Sequence, residues 1–187
     1  QGELGVIPKG AADEIASKAK LSNLDMDAIR KGHARTGHAL VPLIWELDRV
    51  CESGAGGYVH WGATTQNITQ TGHLLLLKRV HEIILAQISE ILRLMADLAE
   101  ETQQFYMPGR THGQHAVPTT FGLKTAVWID ELCRHVERLR ECESRVFVAM
   151  LGGAAGTLGS LNETGLPTQE LMGMKLGLGS MTMPSRS

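Results

Sequence analysis

The chain has 187 residues, 43% of them hydrophobic and 20% charged, which is enough apolar material for a globular core. Eighteen Lys and Arg against twenty Asp and Glu leave a net charge of −2, with no basic surplus for nucleic acid or an anionic membrane. The longest purely aliphatic run is Leu74–Leu77, too short to span a bilayer.

Three cysteines (Cys51, Cys133, Cys142) are odd in number and lack CxxC spacing, which argues against a disulfide framework or a zinc site. The first twenty residues carry no signal-peptide core, so a cytoplasmic location is expected.

In chain order, Gly10–Lys20 fits a short helix. Asp25–Val50 fits a second, open to a break at Pro42. Within it "KGHARTGHALVP" carries His33 and His38, which spacing alone assigns to a surface or a helix end. The segment "ESGAGGYVHWGATTQN" then interrupts the helical pattern.

From Gly72 to about Thr102 there is no proline and no internal glycine. Leu77, Val80, Ile84, Ile88, Ile91, Met95 and Leu98 recur at spacings of three and four, the period of a helix. Leu74, Leu76, Ile83, Leu85, Leu92 and Leu94 widen that stripe to most of the circumference. Such a helix is expected to be buried among other helices.

"MPGRTHGQHAVPTTFG", residues 107–122, reads as a loop, and Phe121 to about Met150 as a second long helix behind Pro118. The glycine-rich "LGGAAGTLGS" lacks both GxGxxG and GxxxxGK[ST], so a close helix crossing is expected there. No β-alternation stands out. The expected fold is all-α, built on long bundle helices, with a helical domain at 1–55 and an incomplete bundle domain at 56–187.

Two polar clusters flank the long helix. Thr64, Thr65, Gln66 and Asn67 stand at its start, where free N–H groups and a partial positive charge suit a carboxylate or phosphate. Plain N-capping explains the same residues.

After the helix come Arg110, Thr111, His112, Gln114 and His115. His112 can exchange protons near neutral pH or stand simply solvated. Arg110 can hold an anion or pair with a carboxylate on a neighbouring helix. His112 and His115 come without HExxH or a nearby cysteine, so no metal is expected. About thirty helical residues at 1.5 Å each separate the clusters by roughly 45 Å. A small substrate touching both therefore requires two copies of the chain side by side, antiparallel.

The segments "ELGVIPKGAADEI", "YVHWGATTQNITQTG", "GRTHGQHAVPTTFGLKTAVW" and "LGGAAGT" resemble, in order, segments of the fumarase/aspartase superfamily. The likeness is greatest to its branch of adenylosuccinate lyases and 3-carboxy-cis,cis-muconate cycloisomerases, and it runs over nearly the whole chain. It implies cofactor-free β-elimination releasing an unsaturated acid such as fumarate, in an all-helical homotetramer with shared sites. By that resemblance His112 corresponds to the general acid, and His38 and His60 to two further substrate-site histidines. Thr64, Thr65, Thr111 and Gln114 correspond to positions that hold a substrate carboxylate or nearby groups.

The chain departs from the family at several points. Asn67 and Gln70 stand where aspartates are usual, and Ala39 replaces the aspartate that often follows His38. Cycloisomerases commonly have tryptophan at the position of His112 and keep a histidine at that of His115, whereas this chain has both histidines. Its segments "HWGATTQ" and "LVPL" resemble the cycloisomerases, and "GRTHG" and "FGLK" the lyases.

Residues 179–186, "GSMTMPSR", partly match a mobile family loop of the form GSSxMPxKxNP, at Gly179, Ser180, Met183 and Pro184. In that register Met181 replaces the serine base and Arg186 the lysine, and Ser180 is left as the candidate base. The match arrives early, which points to a segment absent between about Gly177 and Gly179. The expected function is an adenylosuccinate lyase-like elimination. A cycloisomerase-like enzyme and a non-catalytic helical homologue, favoured by Asn67, Gln70 and Met181, are the alternatives.

Overall fold

A computed structural model describes residues 1–183. The chain forms helices α1 (Lys9–Lys18), α2 (Met26–Thr36), α3 (Val41–Val50) and α4 (Thr65–Glu101). Strands β1 (Tyr106–Thr111) and β2 (Gln114–Thr120), then α5 (Phe121–Val146), β3 (Val148–Ala149), α6 (Gly165–Leu176) and β4 (Gly179–Ser180) complete it. The fold is all-α with one hairpin and one two-residue strand pair among the described residues. Two compact units are present: Gln1–Leu75 with the chain from Val148 on, and Leu76–Phe147. The boundary expected at residues 55 and 56 lies inside the first of them.

In the first unit, the Asp25 carboxylate accepts from the amides of Asp27 and Ala28 and starts α2. Gly37, at φ 63°, ends it. The break expected at Pro42 comes earlier, because proline in a first turn begins a helix rather than ending one. Gly32 lies so close to Pro42 that a Cβ there would come within 2.8 Å of the ring, which lets α2 approach α3. Buried Glu46 accepts from the Arg49 guanidinium at 2.7 and 3.0 Å and from the Asp25 amide at 3.1 Å, tying α3 to the start of α2.

The apolar centre of this unit is Leu151, Leu158 and Leu161, packed with Val6, Ala63 and Met172. Buried polar side chains hold the backbone beside it. The Met150 amide donates to Thr71 Oγ1 at 3.1 Å, and the Leu151 amide to Gln169 Oε1 at 3.4 Å. Gln169 Nε2 in turn donates to the Met181 carbonyl at 2.9 Å. The glycine-rich segment is therefore a loop bonded to side chains of α4 and α6, not a helix crossing.

In the second unit, α4 continues from Leu76 and runs antiparallel to α5. His81 Nε2 meets Glu143 Oε1 at 2.9 Å near one end, with Phe147 edge-on to the imidazole. Near the other end Gly122 presses on the backbone of Ala99 and Gln103, where a Cβ would clash. Leu76, Leu77, Val80, Ile83, Ile84 and Leu94 of α4 stay exposed. The wide apolar stripe is thus left largely uncovered by this chain.

Two boundaries and two elements differ from the sequence expectation. α4 begins at Thr65 rather than Gly72, so Gly72 lies inside it. α5 ends at Val146, because Val148 and Ala149 pair in parallel with Gly179 and Ser180. The loop at 107–122 is mostly the β1–β2 hairpin, and α6 was not foreseen. Among the described residues no helix is long and apolar enough to cross a membrane.

Candidate functional site

The first cluster is built at the start of α4, within the first unit. Thr64 precedes the helix, and its amide donates to Asn67 Oδ1 at 3.0 Å, one half of a capping box. The same oxygen accepts from the amides of Gly152 (3.4 Å) and Gly153 (3.1 Å). Asn67 is 3% exposed. Its oxygen is saturated by backbone amides, which gives Asn67 an architectural use at the start of α4.

His38 sits in the link between α2 and α3. Its Nδ1 accepts from the amides of Leu40 and Val41, both at 3.2 Å, so the imidazole caps α3. Its Nε2 lies 3.3 Å from Thr65 Oγ1. His38 therefore joins the starts of two helices through one ring.

His60 occupies a turn with φ 67°, a left-handed conformation unusual outside glycine. Its Nε2 is buried without a partner among the described residues. Burial, and secondarily the neighbouring His38, push its pKa below the ordinary imidazole value. His60 also lines a cavity of about 720 Å³ whose other walls include Leu40, Ile44, Tyr58, Trp61 and Ile68. That size suits a small molecule. Gln66 is exposed.

Ser180 lies exposed in β4, and no hydrogen bond among the described residues joins its hydroxyl to a histidine. Pro184 and Arg186, which the loop register invoked, lie outside the described residues.

The second cluster is the hairpin turn, within the second unit. His112 (φ 50°) and Gly113 (φ 74°) are both left-handed, as a two-residue type I′ turn demands. Thr111 and Gln114 flank them as a register pair, and Arg110 stands opposite His115. The guanidinium has only donors, so its Nη2, 3.4 Å from His115 Nε2, makes that nitrogen the acceptor. Arg110 thus has a histidine, not a helix carboxylate, beside it. All six residues of the turn are exposed.

The structure brings His38, His60, Thr64, Thr65 and Asn67 together in one unit, and Arg110, Thr111, His112, Gln114 and His115 in the other. Sequence reasoning passed over Thr71 and Gln169, whose partners lie far along the chain. No local pattern announces them. Among the described residues no three His, Cys, Asp or Glu side chains cluster as a metal site would require.

The model of a family described as "Lyase" matches residues 9–186. Adenylosuccinate lyase of Methanocaldococcus jannaschii is 42% identical over 95% of this chain and 38% of its own length. N-acetyl-S-(2-succino)cysteine lyase of Dickeya dadantii is 41% identical over 95% of this chain and 39% of its own. The crystal structure of a fumarate lyase from Mesorhizobium superposes with a TM-score of 0.93 at 38% identity, over 98% of this chain and 43% of that one. For β-carboxy-cis,cis-muconate cycloisomerase of Acinetobacter calcoaceticus the TM-score is 0.91 at 33% identity, over 98% and 44%. The chain spans about two fifths of the length of the curated relatives it matches.

Proposed function

Because the chain belongs to the fumarase/aspartase superfamily, in the branch that holds the adenylosuccinate lyases and the muconate cycloisomerases, we propose that it forms part of a lyase acting by β-elimination on a succinyl-bearing substrate. The observation that carries this reading is the pair of lyase relatives, whose names share a succinyl group and differ in what it is attached to, a nucleotide or a cysteine sulfur. The succinyl end is then the constant part of the substrate, and fumarate the constant product.

The chemistry asks for two things. A base removes a proton from the carbon beside a carboxylate, and negative charge builds on that carboxylate's oxygens. Fixed neutral donors stabilise it, and Thr64, Thr65, Gln66 and the free amides of the first α4 turn are the candidates. The carbon–heteroatom bond then breaks, the electron pair leaves with the heteroatom, and a donor protonates it as the double bond forms. His112, with Arg110, Thr111, Gln114 and His115 beside it, is the candidate donor. Ser180 is the candidate base only by the segment it belongs to. A lone hydroxyl needs an activating partner, and no described hydrogen bond supplies one.

The two clusters flank a helix of 37 residues, which supports sites shared between chains of a homotetramer. The exposed apolar face of α4 supports the same assembly. A screen for fumarate absorbance with adenylosuccinate and with N-acetyl-S-(2-succino)cysteine tests the reading. Fumarate from either is the expected result. Lactone turnover from carboxymuconate, without fumarate from any succinyl compound, returns a cycloisomerase instead. Inertness of a correctly assembled protein toward all three leaves the non-catalytic homologue.

A further inference from the structure

We propose that His38 is a positioning residue: its imidazole fixes the direction of the Thr65 hydroxyl proton and does not itself carry protons to or from substrate. Nδ1 of His38 receives two backbone N–H groups, those of Leu40 and Val41. A nitrogen that accepts from two amides carries no hydrogen, so the neutral ring holds its proton on Nε2. That nitrogen lies 3.3 Å from Thr65 Oγ1, so Nε2–H donates and the hydroxyl oxygen accepts. Moving the ring proton to Nδ1 would point an N–H at two other N–H groups and break the cap on α3.

The consequence falls on Thr65. A hydroxyl that accepts through one lone pair keeps its own hydrogen for another acceptor. Several threonines of the chain spend that hydrogen on the carbonyl four residues back, whereas Thr71 of α4 gives it to the Met150 carbonyl at 3.4 Å. Thr69 donates to Thr65 O, Thr102 to Leu98 O, Thr125 to Phe121 O and Thr168 to Thr164 O. For Thr65 the corresponding carbonyl is that of Trp61, which lies before the helix and accepts instead from Gln1 Nε2 at 2.7 Å. Thr65 is half-buried, so its hydroxyl is reachable. His38 therefore keeps one donor free at the start of α4, beside the free amides of the first turn. A donor-only set selects a group that only accepts, an ionised carboxylate, over an amide or a hydroxyl.

What the Thr65 proton points at rests on the carboxylate reading above; the His38–Thr65 hydrogen bond does not. Long-range ¹⁵N–¹H spectra of the imidazole rings, recorded at pH 8 on the full chain in its assembled form, identify which nitrogen of His38 is protonated. Protonated Nε2 with bare Nδ1 is expected, and protonated Nδ1 overturns the proposal whatever binds.

Succinate titrations of four variants supply the second measurement. His38→Asn keeps an oxygen where Nδ1 stands and so keeps the cap, but it has nothing to reach Thr65. It should weaken succinate about 5- to 100-fold, as Thr65→Val does, and the double variant should be no weaker than either single. His38→Gln places an amide N–H near Thr65 without the cap; it should bind within about fivefold of wild type while melting earlier. A merely structural role for His38 gives the opposite order, with Asn binding normally and Gln failing, and that result overturns the proposal. If wild type itself does not bind succinate, the carboxylate reading falls and the Thr65 donor role falls with it, while the spectrum still decides the His38 hydrogen bond.

Discussion

The two polar clusters that flank α4 are made in opposite ways. At its start, Asn67 takes three amides, His38 takes two and meets Thr65, and the packed loop at residues 150–153 lies against them. At the hairpin turn, His112 and Gly113 are held by backbone geometry alone, and the side chains stand in solvent. One cluster is preorganised by its own chain. The other is a turn whose side chains stand in solvent, and the proposed sharing of sites between chains requires such an exposed cluster. Substitutions in the first should therefore trade stability against function, and substitutions in the second should change function alone.

The largest effect tests the second half of that contrast. His112→Asn suits the backbone, because Asn-Gly is the preferred type I′ pair, so the hairpin keeps its stability while the imidazole is lost. Turnover should fall by about 10²–10⁴-fold with an unchanged melting temperature. Mixing these subunits with Thr65→Val subunits, after dissociation and reassembly, should restore part of the activity, since some shared sites then draw both clusters from unmutated chains. Verified mixed oligomers that stay dead would end the shared-site reading.

A smaller effect tests the first half. Asn67→Leu leaves the amides of Thr64, Gly152 and Gly153 without their acceptor, at a cost of about 3 kcal/mol in unfolding free energy. Asn67→Asp keeps the acceptor and adds a negative charge at a helix start, so it should be neutral or stabilising. Chemical denaturation separates the two. Equal losses for Leu and Asp would mean that the oxygen is not the anchor. The same contrast explains why asparagine serves where family members usually have aspartate: all three partners are donors, and an uncharged oxygen satisfies them.

Long-range partners mark where the sequence stopped being legible. The period of α4 was plain between Leu77 and Leu98, because one stripe repeats over many turns. Its first turn lies ahead of Gly72, where the sequence sets the Thr64–Asn67 cluster at the helix start without deciding between capping and ligand binding. The hairpin reads as a loop in the sequence because Pro108 and Pro118, which stand opposite each other in register, argue against strands. α6 buries Thr168, Gln169 and Gly173 where an aliphatic stripe would have announced a helix. The two polar clusters are legible in the residues themselves and the family resemblance adds His38, His60 and Ser180, but the wiring between them is not legible. His38 and Thr65 are 27 residues apart, and Asn67 and Gly153 are 86 apart.

The smallest effect concerns His60, which belongs to the preorganised cluster and is the one polar group in it whose Nε2 has no partner among the described residues. Burial, and then its neighbour His38, hold its pKa below the ordinary imidazole value. Above about pH 8 the ring is neutral in both folded and unfolded chains, and it contributes no pH dependence. As the pH falls through about 6.5 the unfolded chain takes up a proton that the folded chain does not. Stability is therefore lost on acidification, until the pH drops below the folded value and the loss levels off. His60→Asn tolerates the left-handed backbone and removes the titrating ring. The fall in melting temperature between pH 7.5 and pH 5.5 should be shallower in this variant than in wild type. Superimposable pH profiles would show that His60 takes a proton as easily folded as unfolded, and the cluster would then be more open to water than its geometry describes.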